Sequence, residues 1–260
     1  MSKIDKAFCG EKALIGFIVA GDPTIEDTLS YLKAMEQAGV NLIEIGIPFS
    51  DPVAEGPVIQ AANQRSLAAG TTTDKVFEIV GQFRKESSIP LVFLSYINPV
   101  FHCGYEAFFA RCKKLDVDGL IVPDLPFEER CELSVPAAQY GIDLISMVAP
   151  TSQTRIPKIV KGAGGFIYAV SSMGVTGIRD QLPEGLSDMI RMIRQATPLP
   201  IAIGFGINTP EQAARMAKIG DGVIVGSAIV KLIEAHQSQA TEPLKQYLRS
   251  LRSAIDSVAI

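Results

Sequence analysis

Two glutamates eleven residues apart frame the stretch EIGIPFSDPVAEGP at 44–57, with a further carboxylate, Asp51, between them. Glu44 lies inside NLIEIGIP (41–48), which otherwise reads as a β-strand. On a strand it shares one face with Leu42 and Gly46, while Ile43, Ile45 and Ile47 form the other. A carboxylate set among apolar neighbours is desolvated, and its pKa rises toward the working range of a proton shuttle. The competing reading is a buried ion pair with a core Arg or Lys, and the lack of basic residues inside the strands weakens it. Glu44 is therefore the leading catalytic candidate. Asp51-Pro52 and Gly56-Pro57 read as turn punctuation, or as a stiff loop that positions the second carboxylate and presents a rigid edge to a partner.

Two absences narrow the reaction class. No lysine lies in any of the eight apolar runs described below, which argues against a Schiff-base aldolase. The two histidines, His102 and His236, fall in unrelated segments, which argues against a His-rich metal site. Carboxylate acid–base chemistry remains, with tyrosine help from residues such as Tyr96 or Tyr168. An anion site is the second constellation. GFG (204–206), GS (226–227) and GVTG (174–177) are glycine sites at the ends of three successive late strands, where backbone N–H groups can approach phosphate oxygens closely. Arg179 is a possible helper there.

These residues need elements to hold them. Eight short apolar runs recur along the chain: 13–21, 41–48, 90–97, 118–126, 142–150, 165–172, 200–206 and 221–228. They are nearly continuous in apolar residues, as strands covered on both faces must be. Helical patterns separate them. In DPTIEDTLSYLKAMEQAG the spacing puts Pro23 in a first turn and ends at Gly39. In TPEQAARMAKIG, Thr209 caps, Pro210 takes the first helical position and Gln212 completes a capping box. Repeated strand–helix units without a composition break predict one closed (β/α)8 barrel, a TIM barrel, spanning 1–260 as a single domain. An extra N-terminal helix over about Lys3 to Glu11 would cover its floor, and the tail PLKQYLRSLRSAI would pack as a last helix. An open doubly wound sheet would more often carry GxGxxG after its first strand, where this chain has AGDP. Barrels of this kind build their sites at the C-terminal strand ends. Those ends offer Phe17 and Asp22, Glu44, Tyr96 and Asn98, Asp124, and Tyr168. Asp124 reads equally as a strand-end cap or a link to the 48–57 loop.

Bulk properties agree. With 260 residues and 47% hydrophobic content the chain can bury a large core, and a net charge of −4 with no basic block argues against nucleic acid or anionic membrane as partners. No apolar run approaches the roughly 18 residues of a membrane span. The N-terminus lacks signal-peptide features, and Cys9, Cys103, Cys112 and Cys131 are scattered, as expected of reduced thiols in the cytoplasm.

GFIVAGDP, EIGIPFSDPVAEGPVIQ, LSYINP, VPDLP, GFIYAVSSMGVTG, GFGI and GVIVGSAIVK together resemble, in order, the tryptophan synthase α chain, from about Ile15 to Lys231. The resemblance implies a barrel that is a carbon–carbon lyase of tryptophan biosynthesis, cleaving indole-3-glycerol phosphate to indole and glyceraldehyde 3-phosphate. It implies no cofactor in this chain. The indole would travel through a tunnel to a pyridoxal-phosphate β chain in an α2β2 assembly. By residue, it assigns Glu44 as the acid and base at indole C3 and Glu55 as the second carboxylate, facing the ring N–H. It places Phe17, Leu94 and Tyr168 along the indole slot with Tyr96 nearby, and makes Gly177, Gly206, Gly226 and Ser227 phosphate binders. Thr176 would order the second carboxylate on loop closure, and Asp51 and Pro52 would face the β chain. One position departs from the pattern: the second carboxylate is usually aspartate, and here it is Glu55. The added methylene moves the carboxylate by about 1 Å, enough to cost about 100-fold if nothing compensates. The expectation is that loop or pocket has adjusted. Rival readings are a stand-alone indole-glycerol phosphate lyase and a catalytically weak barrel that mainly activates a β chain.

Overall fold

The computed structural model describes residues 2–171, 185–204 and 206–258. Each apolar run forms one strand: β1 (Ala13–Val19), β2 (Leu42–Gly46), β3 (Leu91–Leu94), β4 (Gly119–Ile121), β5 (Asp143–Val148), β6 (Ile167–Val170), β7 (Ile201–Gly204) and β8 (Gly222–Val225). All neighbours pair in parallel in sequence order, and β8 returns to β1 to close the barrel. The helices are α1 (Lys3–Ala7), α2 (Ile25–Gln37), α3 (Pro57–Ala68), α4 (Thr73–Phe83), α5 (Ile97–Cys103), α6 (Tyr105–Lys114), α7 (Cys131–Tyr140), α8 (Ile156–Ile159), α9 (Leu186–Ala196), α10 (Pro210–Ile219), α11 (Ser227–His236) and α12 (Thr241–Asp256). This is a (β/α)8 TIM barrel.

Strand alternation divides the interior into two cores. Outward residues such as Ile43 and Ile45 pack with Tyr31, Leu32 and Met35 of α2 in the layer between barrel and helices. Inward residues such as Ile15, Phe17, Leu42, Val92, Ile121 and Ile224 fill the barrel itself. Because Leu42 is inward and Ile43 and Ile45 are outward, Glu44 must face the interior.

α1 begins with a capping box between Ser2 and Asp5, and its Ile4 is fully buried in the barrel's inner core. The helix is shorter than the Lys3 to Glu11 expected. It stops at Ala7, Phe8 turns away to pack its ring 5.6 Å from Phe166, and Gly10 takes a positive φ. Pro23 also departs from expectation. It precedes the α2 cap, which is Thr24, whose hydroxyl accepts from the Asp27 N–H at 3.1 Å. A β-region cap with a short oxygen satisfies the first turn better than proline can, so the helix starts one residue beyond it. At α10 the Thr209, Pro210 and Gln212 arrangement is as the sequence implies.

Candidate active site

Glu44 is held in the middle of β2, paired in register with Phe17 on β1 and Val92 on β3. Only 1% of it is exposed, and its Oε2 has no hydrogen-bond partner among the described residues. No Lys or Arg among the described residues forms an ion pair with it. Burial first, and then the neighbouring Glu55, push its pKa up to about 8. A carboxylic acid of that kind is protonated near neutral pH and can both give and retake a proton.

Glu55 lies half-buried in the 48–57 loop, immediately before α3. Burial raises its pKa to about 7, against the lowering effect of a hydrogen bond from Asn63. Asn63 Nδ2 donates to Glu55 Oε2 at 2.8 Å, and Asn63 Oδ1 accepts from the Phe49 N–H at 3.0 Å. Gln60 Nε2 donates to the Glu55 carbonyl at 2.7 Å. From the β3 side, the Tyr96 hydroxyl accepts from the Ala54 N–H at 3.1 Å while its ring stacks on Phe49, centroids 5.3 Å apart. Tyr96 is fully buried by these contacts, so it braces the loop from below. Its hydroxyl is committed to the Ala54 backbone N–H.

The apolar wall is built by rings seated over glycines. A Cβ on Gly46 would come within 2.9 Å of the Phe17 ring, and one on Gly204 within 2.6 Å of the Tyr168 hydroxyl oxygen. Leu94 is buried in the same inner core as Phe17, and Tyr168 packs against it. Burial, Glu44 and then Glu55 all push the Tyr168 hydroxyl pKa well up, so it stays neutral beside the two carboxyls.

Gly206 has φ +76, a conformation that favours glycine, and α11 begins at Ser227 with Gly226 as a cap that makes no side-chain hydrogen bond. First-turn N–H groups of such a helix suit an anion. Thr176, Gly177 and Arg179 lie outside the described residues. Asp51 and Val53 are exposed and Pro52 half-buried on the loop's outer edge. Asp124, just beyond β4, serves as a cap: its Oδ1 accepts from the Ile97 N–H at 3.0 Å, fastening the start of α5.

Sequence reasoning missed Asn63. It offered Asp22 at the end of the first strand but not its partner: Asp22 is 3% exposed and held bidentately by Arg65 of α3 at 2.8 and 2.9 Å, with Arg65 also bonded to Glu234 of α11 at 2.8 Å. Glu44 inside the barrel and Glu55 on the loop above it are near enough for the second to raise the pKa of the first. The family model for the tryptophan synthase alpha chain matches residues 5–257. The chain belongs to the tryptophan synthase alpha chain family. A tryptophan synthase alpha chain from Lacticaseibacillus casei is 51% identical over 257 residues, covering 99% of this chain and 97% of the relative. A crystal structure of the tryptophan synthase alpha chain from Legionella pneumophila superposes with TM-score 0.90 at 37% identity, over 100% of this chain and 99% of that one. A chain from a tryptophan synthase complex of Pyrococcus furiosus superposes with TM-score 0.86 at 35% identity, over 94% and 98%. Among the described residues of this alpha-chain family member, no group of three or more His, Cys, Asp or Glu side chains is placed to hold a metal ion, and no helix is long and apolar enough to cross a membrane.

Proposed function

We propose that this chain cleaves indole-3-glycerol phosphate to indole and glyceraldehyde 3-phosphate by carboxylate acid–base chemistry and passes the indole to a β chain. Protonated Glu44 gives its proton to indole C3, and the Glu55 carboxylate takes the ring N–H proton as the ring becomes an indolenine. The Glu44 carboxylate then removes the proton of the side-chain hydroxyl next to C3. The bond between C3 and the side chain breaks as the aldehyde forms, its electrons return to the ring, and Glu55 returns the proton to nitrogen. Two carboxyls of matched basicity at separate places on a bicyclic ring are what this sequence of transfers requires.

The observation that carries the proposal is the buried, unpartnered Oε2 of Glu44 in an apolar barrel, with a second carboxyl near enough to raise its pKa. A desolvated acid without an internal partner is costly unless a ligand uses it. Phe17, Leu94 and Tyr168 serve as the indole slot. Gly206, Gly226 and Ser227, with Gly177, hold the phosphate, and Thr176 meets Glu55 on closure. Asp51 and Pro52 face a pyridoxal-phosphate β chain in an α2β2 assembly. On this reading residues 1–260 act as a single cytoplasmic barrel domain that needs no cofactor of its own.

The test is indole release from indole-3-glycerol phosphate, with and without the cognate β chain, beside Glu44→Gln. Turnover that rises strongly with the β chain and vanishes in the variant is the expected result. Tight binding without turnover in either condition would leave a barrel that binds or activates only.

A further inference from the structure

Asn63 spends both ends of its amide on the catalytic loop. The residue is 3% exposed on α3, and its Oδ1 takes the Phe49 N–H at the start of the loop at 3.0 Å. Its Nδ2 reaches Glu55 Oε2 near the loop's end at 2.8 Å and also the Ile59 carbonyl at 3.0 Å. A side chain that only closed the loop would need backbone partners alone. This one commits a donor to a carboxylate oxygen, an interaction roughly twice as strong as a neutral one when the carboxylate is ionised.

The glutamate makes that donor necessary. Glu55 has one more side-chain torsion than an aspartate would, hence more places for its carboxylate to go. The Gln60 and Tyr96 contacts fix the backbone at 54–55 and leave that extra torsion free. Asn63 is the described hydrogen-bond donor to the carboxylate itself. An aspartate at this position would stop about 1.5 Å short of the amide.

We infer that Asn63 is a positioning residue for the cleavage: it clamps Glu55 by Oε2 and leaves the other carboxylate oxygen aimed at the substrate ring. The inference rests on the reading of Glu55 as the second carboxylate. It also accounts for how this barrel accommodates the longer acid, since the compensation sits on α3, eight residues along, outside the loop itself.

A double-mutant cycle in the complex with the cognate β chain tests it, reading kcat and KM for indole-3-glycerol phosphate. Asn63→Ala should lower kcat about 10- to 100-fold with a smaller change in KM, as expected for loss of alignment. In a Glu55→Gln background the same change should cost less than about threefold, because the group it acts through is already gone. The acidic limb of the kcat/KM profile should move to higher pH in Asn63→Ala, since the bond favouring the ionised carboxylate is lost. Should Asn63→Ala fail to fold, Asn63→Asp keeps the volume and the acceptor for Phe49 while removing the donor, and the same pattern is expected. Equal losses in both backgrounds, or a single variant within twofold of wild type, would overturn the inference while leaving the cleavage reading intact. A wild-type complex that cleaves nothing overturns both.

Discussion

Phe17 and Glu44 are register partners on adjacent strands, facing the barrel interior at one level, so the carboxyl is walled by an aromatic ring where a counter-ion would otherwise sit. In the unfolded chain Glu44 titrates near 4.5, and in the folded chain near 8. Between those values the folded state holds the extra proton, so stability present at low pH is lost as the pH climbs through that window. Relative to Glu44→Gln, the wild type should lose on the order of 5 °C in Tm or more between pH 5 and pH 8.5. Parallel melting curves for the two proteins would show the carboxyl is ordinary.

The same pair of acids sets the pH dependence of turnover. Glu55 must be ionised, which its value of about 7 allows above that pH, and Glu44 must be protonated, which its value of about 8 allows below that one. The kcat/KM for indole-3-glycerol phosphate should therefore be bell-shaped with its maximum between about pH 7 and 8, the limbs belonging to the pair. A profile flat from pH 5 to 9 in the wild type would rule this out.

Glu55→Asp should be slower than wild type, by about tenfold or more, because the shortened acid loses Asn63 and withdraws from the ring. Steady-state kinetics in the β-chain complex decide this. A variant more than tenfold faster would mean the pocket still favours the shorter acid.

Arg65 joins three elements: Asp22 beyond β1, its own helix α3, and Glu234 on α11. Replacing it with Met strands a carboxylate that is almost fully buried, at a cost of about 2–4 kcal/mol. Urea unfolding should register that loss, and an unchanged midpoint would show the ion pair to be neutral in effect.

Val53 and Phe101 are 79% and 67% exposed, the first on the loop after β2 and the second on α5 after β3. Large apolar side chains left in water at the same barrel end suit an apolar partner surface. Val53→Asp with Phe101→Asp should weaken β-chain binding at least about tenfold in sedimentation or calorimetry, while isolated-chain melting stays near wild type. Undiminished affinity would place the contact elsewhere.

Periodicity made the barrel legible. The unbroken apolar runs demand cover on both faces, and the two-residue repeat in LIEIG sets Glu44 on one face with Leu42, which the fold turns to the barrel interior. What stayed hidden was contact between segments. Asn63 reads as one polar residue in PVIQAANQRSLA, and nothing local says that its amide turns back to Phe49 and Glu55. Asp22 reads as a strand-end carboxylate, and nothing local shows that it is held by Arg65, 43 positions away. α1 ends at Ala7 because the chain beyond it is held by a tertiary contact, Phe8 on Phe166, which outweighs local propensity. Asp124 was similarly ambiguous, as only the fold reveals Ile97 as its donor.

Ile4 sits fully buried beneath the inner core, against the spaces where Gly119 and Gly165 carry no side chain. The barrel is thereby stoppered at its amino-terminal end, and its interior is a cul-de-sac. Whatever enters for cleavage and whatever leaves must share the opposite rim, the same rim that carries Val53 and Phe101. A second protein seated there would control all traffic in both directions, so release to solvent and transfer to a partner become competing uses of a single doorway.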